Sequence, residues 1–181
     1  TYTVNAVTPA VYTKADGTKV VKRPDGTYTT NLDGSSGNDV AASDVIISFQ
    51  DAAGDTKNAT SIVNNVGSAI KNQTGGDFLT KLDNANTATP NAAVNVSDLK
   101  NTADSLTNKG LKFDANSGGV KTNKLGSTVK VQGAGTSADA NYSGANIKTF
   151  IDQDTTGNTT IDVKLDKNLT GIDRKSTRLN S

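Results

Sequence analysis

The chain has 181 residues, 19 basic against 18 acidic side chains, 33% hydrophobic and 4% aromatic residues, and no Cys, Met, Trp or His. That length suits one or two small domains, but the apolar fraction is thin for a self-contained globule. Near-neutral charge argues against charge-driven disorder and against a nucleic-acid surface, which needs a clustered basic face; the remaining expectation is that apolar strips are buried against further copies of the chain.

In chain order, residues 1–30 read as a β-meander. Tyr12-Thr13-Lys14 leads into Ala15-Asp16-Gly17, a hairpin signal, and a strand follows at 18–22. Pro24-Asp25-Gly26 forms a second turn before Thr27-Tyr28-Thr29-Thr30, and 31–39 is a Gly/Ser/Asn/Asp loop. The most apolar strand of the N-terminal half is predicted at 44–50, with Val45, Ile47 and Phe49 on one face. Ile62, Val63, Val66 and Ile70 fit either a short helix or an irregular strand, and Gly67 weighs against the helix. Phe78, Leu79 and Leu82 form a short apolar cluster, and 84–91 reads as a polar connector because Pro90 disfavours helix before it.

An extended segment at 92–96 then runs into a helix at about 97–108. Ser97 is the expected cap, Asp98 suits the first turn, and Gly110 is the stop. Val96, Leu99, Ala103, Leu106 and Gly110 recur at spacings of three and four, the rhythm of a coiled-coil seam held for only two heptads. Isolated helices shorter than ~12–15 residues are marginal in water, so this one needs neighbours. Further on, a strand is expected at 111–113, a turn at Asn116-Ser117-Gly118-Gly119, and a strand at 128–132 through Val129 and Val131. A small-residue loop fills 133–144. A short apolar segment at 147–151 precedes a turn at 154–158, and a strand at 159–165 places Ile161, Val163 and Leu165 on one face.

All 18 acids are Asp, beside 20 Asn, 26 Thr and 17 Gly. Turn formers and a strand former dominate while the helix former Glu is missing, which is the composition of an elongated, β-rich, turn-rich protein. The lack of Cys fits either a cytosolic chain or a secreted one that crosses a pore unfolded. No segment approaches the ~18 apolar residues of a membrane span. With neither an initiator Met nor a signal peptide, the chain is expected to be part of something longer. Residues 174–181, with two Arg and one Lys, resemble an adapter or cloning remnant; without them 16 basic residues face 18 acids.

Candidate chemistry is sparse. Gly133-Ala134-Gly135-Thr136-Ser137-Ala138 loosely resembles a dinucleotide-binding turn, but Asp139-Ala140-Asn141-Tyr142-Ser143-Gly144 is not the helix such a turn needs, so a surface loop is expected. Asp152, Asp154 and Gly157 match the start of a calcium loop. Its twelfth position is Val163 rather than Glu, so a hairpin turn is expected. Without His, Cys or Glu, the usual general bases, thiol nucleophiles and most metal ligands are gone. No catalytic residue, cofactor or metal is expected. An Asp-based secreted glycosidase would need two carboxylates at a set separation in a cleft.

Ala92-Ala93-Val94-Asn95-Val96-Ser97-Asp98-Leu99 resembles the neck motif of trimeric autotransporter adhesins, written Asp-Ala-Val-Asn-Val-Ser-Gln-Leu. Six of eight positions agree, the departures being Ala92 and Asp98. Asn108-Lys109-Gly110-Leu111-Lys112-Phe113, Asn116-Ser117-Gly118 and Lys124-Leu125-Gly126-Ser127-Thr128-Val129-Lys130-Val131-Gln132-Gly133 are similar to a head repeat of that family, which often carries a Trp near the position of Leu111. Asn146-Ile147-Lys148 and the segment Ile161-Asp162-Val163-Lys164-Leu165-Asp166-Lys167-Asn168-Leu169-Thr170-Gly171-Ile172 continue the likeness. Lys19-Val20-Val21-Lys22 and Ile62-Val63-Asn64-Asn65-Val66-Gly67-Ser68 extend it more loosely.

The resemblance implies a mainly β protein of trimeric β-prism-type heads joined by a short helical neck. It divides the chain into an N-terminal head module at 1–75, a connector at 76–91, the neck at 92–110, a second head module at 111–173 and the non-native tail at 174–181. It implies a homotrimer whose neck and axis are formed by Ala93, Val94, Asn95, Val96, Leu99, Ala103 and Leu106. It further implies display on the bacterial surface through a C-terminal outer-membrane barrel absent here, and adhesion to host matrix, cells or other bacteria without catalysis. The alternative is a structural spacer with no ligand of its own.

Overall fold

The computed structural model describes residues 8–58 and 60–172. The expectations for 174–181, and for the first residues of the N-terminal module, fall outside them. Strand residues outnumber helical ones, and every strand pairing is antiparallel, so the chain is mainly β. Two compact units are present, divided between Ser127 and Thr128.

The first unit opens with five strands: β1 (Ala10–Thr13), β2 (Lys19–Lys22), β3 (Tyr28–Thr29), β4 (Asp39–Val40) and β5 (Ile46–Phe49). They form one sheet in the order β4-β3-β2-β1-β5. The predicted hairpins are present, and their turns share one device. Asp16, Asp25, Asp33 and Asp51 each accept, through Oδ1, the backbone N–H two residues on, at 2.9 Å. Only a short acid reaches that far back along its own backbone. This gives these four of the 18 Asp a structural role at the turns.

Register sorts the sheet into two unlike faces. Tyr12 opposes Val20 and Ile47, Lys22 opposes Tyr28, and Tyr28 opposes Val40, so these residues and Phe49 share one face. The Tyr12 and Tyr28 rings meet edge-on, centroids 5.6 Å apart, over buried Val20. Ile47 and Phe49 remain exposed there, and Val45 lies outside the strand. The other face mixes Val11, Val21 and Ile46 with polar residues that are buried at its centre: Thr13 bonds Ser48 across strands at 2.6 Å, and Thr29 donates to the Gly37 carbonyl at 2.8 Å. Arg23 fixes the loop at 31–38 by donating to the carbonyls of Gly34, Ser35 and Gly37 at 2.9–3.2 Å and pairing with Asp39 at 2.8 Å.

The segment from 60 to 77 carries neither helix nor strand among its described residues. Helix α1 (Phe78–Ala88) then occupies ground that the sequence marks as connector. Asp77 caps it by accepting from Thr80 N, and Pro90 restricts only Thr89, which is already the C-cap residue, so Pro90 does not keep helix from forming at 84–88. Helix α2 (Val96–Lys109) follows, and then the hairpin of β6 (Leu111–Phe113) and β7 (Lys121–Asn123). Gly110 joins helix to hairpin at φ 50°, ψ −153°, a conformation left almost wholly to glycine, and a Cβ there would run into the Asn123 carbonyl.

In the second unit, 128–132 is not a strand: Val129 and Val131 alternate as predicted, but the segment has no ladder partner. A single 3₁₀ turn at Asp139–Asn141 follows the glycine-rich loop, where the Tyr142 hydroxyl accepts from Ser137 N at 3.0 Å. Strands β8 (Ile147–Gln153) and β9 (Thr159–Leu165) pair along their whole length. Their turn is closed by Asp154, which accepts bonds from Thr156 and Asn158. Those bonds, the Asn158 side chain's foremost and then that of Thr156, hold the Asp154 carboxyl down at about 2.

Candidate functional site

Val20, Ile70 and Ala85 are the buried hydrophobic residues of the described chain. The apolar material is on the surface, and α2 shows how it comes to be there.

The helix begins one residue earlier than expected, and its cap is Asn95 rather than Ser97. The Asn95 Oδ1 accepts from Asp98 N at 2.9 Å, while its amide donates to the Val66 carbonyl at 3.0 Å. Asp98, 3% exposed, accepts a 2.7 Å bond from Ser68 through Oδ1 and has no hydrogen-bond partner at Oδ2. Its charge lies in the positively polarised first turn. Ser68 in turn accepts from Ile70 N and Lys71 N, and Thr102 donates to the Asp98 carbonyl. Asn95 and Asp98, with half-buried Thr102 a turn further on, thus lie on the face α2 turns toward its own chain.

The apolar row faces the other way. Val96 is 84% exposed, Leu99 65% and Leu106 49%, and Ala103 is exposed between them. A helix packed as part of a monomeric core would do the reverse. Ala93 and Val94, in the extended segment before the helix, are exposed and line a small cavity of about 110 Å³ with Ile70, Leu82, Ala85 and Asp98. Of the seven residues marked by sequence, Val96, Leu99, Ala103 and Leu106 form one outward stripe. Asn95 is engaged within the chain, and Ala93 and Val94 lie before the stripe. Sequence reasoning missed Ser68 and the inward role of Asp98. The Asn95–Asp98 spacing, a side-chain acceptor three residues before a backbone donor, was the available signal.

The second unit repeats the pattern in β form. Register puts Ile147, Thr149 and Ile151 on one face with Leu165, Val163 and Ile161, and every residue of β8 and β9 is exposed. A two-stranded hairpin is marginally stable alone. Among the described residues no three metal-ligating side chains converge, and no helix is long and apolar enough to cross a membrane. No family model, curated protein or solved structure matches the chain.

Proposed function

We propose that this chain is the head-and-neck portion of a trimeric bacterial surface adhesin, displayed outside the outer membrane and acting by adhesion rather than catalysis. The observation that carries this reading is the inverted helix: α2 meets its own chain through Asn95 and Asp98 and presents Val96, Leu99, Ala103 and Leu106 outward. Burying a Val or Leu side chain fully gives about 1.5–3 kcal/mol, so three such stripes meeting on an axis stabilise an assembly that one stripe cannot. The neck resemblance supplies the number three. The exposed apolar face of β8–β9 and the unpaired segment at 128–132 are further surfaces for neighbouring copies to cover.

The test is molar mass in solution by light scattering. The expected result is three times the 18.6 kDa chain, with unfolding that shifts with protein concentration. A stable compact monomer would overturn the proposal. Adhesion is then read from binding of the trimer to immobilised matrix proteins and cells; silence across that panel would assign the chain to spacing instead.

A further inference from the structure

The face of the β8–β9 hairpin opposite its apolar one breaks a local rule. Register sets Lys148 directly across from Lys164, and like charges in that position repel. Phe150 stands beside them on the same face, its ring 47% exposed, with the Lys164 and Lys148 ammoniums 5.0 and 5.5 Å from its centroid. Asp162 lies 3.2 Å from Lys164, while Lys148 has no ion pair among the described residues. Lys148, Phe150 and Lys164 line, with Asn146 and Asp166, a shallow open depression of about 430 Å³ that reaches past the end of the hairpin to Ile147 and Leu165 of the other face. Its end is fixed: buried Asn146 both donates to and accepts from the Thr170 backbone, at 2.8 and 2.9 Å, and its carbonyl accepts from Asp166 N at 2.7 Å.

We infer that this depression binds an acidic saccharide. The inference rests on the trimer reading, which turns the hairpin's apolar face inward and leaves this face out. An anionic sugar substituent relieves the repulsion between the lysines, of which Lys164 is paired with Asp162 and Lys148 is held by the ring's weak attraction. As they turn to the anion, they uncover Phe150 for the C–H face of the sugar. An acidic peptide would use the lysines and leave the ring idle. Three copies per trimer suit a repeating polysaccharide, whose successive units gain from linked binding.

The test is calorimetric titration of the whole chain with a hyaluronate hexasaccharide, a neutral cello-oligosaccharide and a hexa-aspartate peptide, with molar mass recorded for each sample. Hyaluronate is expected to bind and the neutral sugar not to. Lys148→Gln and Phe150→Ala should each weaken hyaluronate by about tenfold, and Asp162→Asn should tighten it about threefold. Absence of hyaluronate binding, binding unchanged by Phe150→Ala in a sample that keeps the wild-type mass, or equal binding of hexa-aspartate would overturn the inference. A wild-type monomer would instead overturn the trimer reading beneath it.

Discussion

The five-stranded sheet of the first unit and the β8–β9 hairpin of the second solve the same problem differently. Both carry one apolar face. The sheet closes its opposite face with its own loops, burying Thr13 and Thr29 and locking the loop at 31–38 through Arg23. The hairpin has no covering layer among the described residues: every residue of its two strands is exposed. Polar side-chain bonds therefore hold the first region within one chain, whereas in the proposed trimer the hairpin's apolar face is covered by neighbouring copies. In that proposal the outward stripe of α2 is covered in the same way, while its opposite face is tied to the chain by Asn95 and Asp98.

The sharpest way to break this comparison is to remove association. Leu99→Asp should abolish assembly, and in the resulting monomer amide exchange should rise along β8 and β9 well before it rises in β1 to β3; simultaneous loss in both would show that the sheet is equally dependent on partners. Gly110→Ala comes next. It forces a Cβ toward the Asn123 carbonyl in a glycine-only conformation, so stability should fall by about 2–3 kcal/mol in denaturant unfolding, with the β6–β7 hairpin displaced. Arg23→Ala should lower stability by about 1.5–2 kcal/mol, because three loop carbonyls lose a charged donor. Its exchange signature should stay within the first sheet and leave the molar mass unchanged.

The smallest effect concerns pH. The exposed carboxyls of Asp16, Asp25, Asp33 and Asp77 lie below their ordinary range, held there by hydrogen bonds from Thr18, Thr27, Ser35 and Thr80, and Asp154 is held at about 2 by Asn158 and Thr156. A lowered folded value means that the ionised form supports the fold. The contribution is complete above the unfolded value of ~4 and is lost as pH falls toward 2. The thermal midpoint should decline modestly over that window and be flat above it. The loss should be spread over both units, since each has such turns.

The hairpins were legible because turn chemistry is local: Asp16-Gly17 and Pro24-Asp25-Gly26 dictate their geometry without reference to anything distant. The strand at 159–165 was placed residue for residue by its alternation. Helix α1 was hidden because Pro90 was given too wide a reach and its Asn- and Thr-rich second half has weak intrinsic preference. The segment at 128–132 has a strand's pattern without a strand's partner, and pattern alone does not supply one. At the neck, spacing marked the apolar stripe, but which way the helix turns it depends on Ser68 and Val66, far back in an irregular stretch where no periodicity points to them.

The Asp-closed turns carry a kinetic consequence. Strand partners lie close together along the chain, and the most distant pairing joins Ala10 to Phe49. A polypeptide of this kind has little loop entropy to lose before its first contacts form. Emerging end-first, it can finish one hairpin before the next has arrived, so its secondary structure is built in instalments. In the proposed trimer the step left for last is the meeting of separate chains, and that step alone varies with how many of them are present.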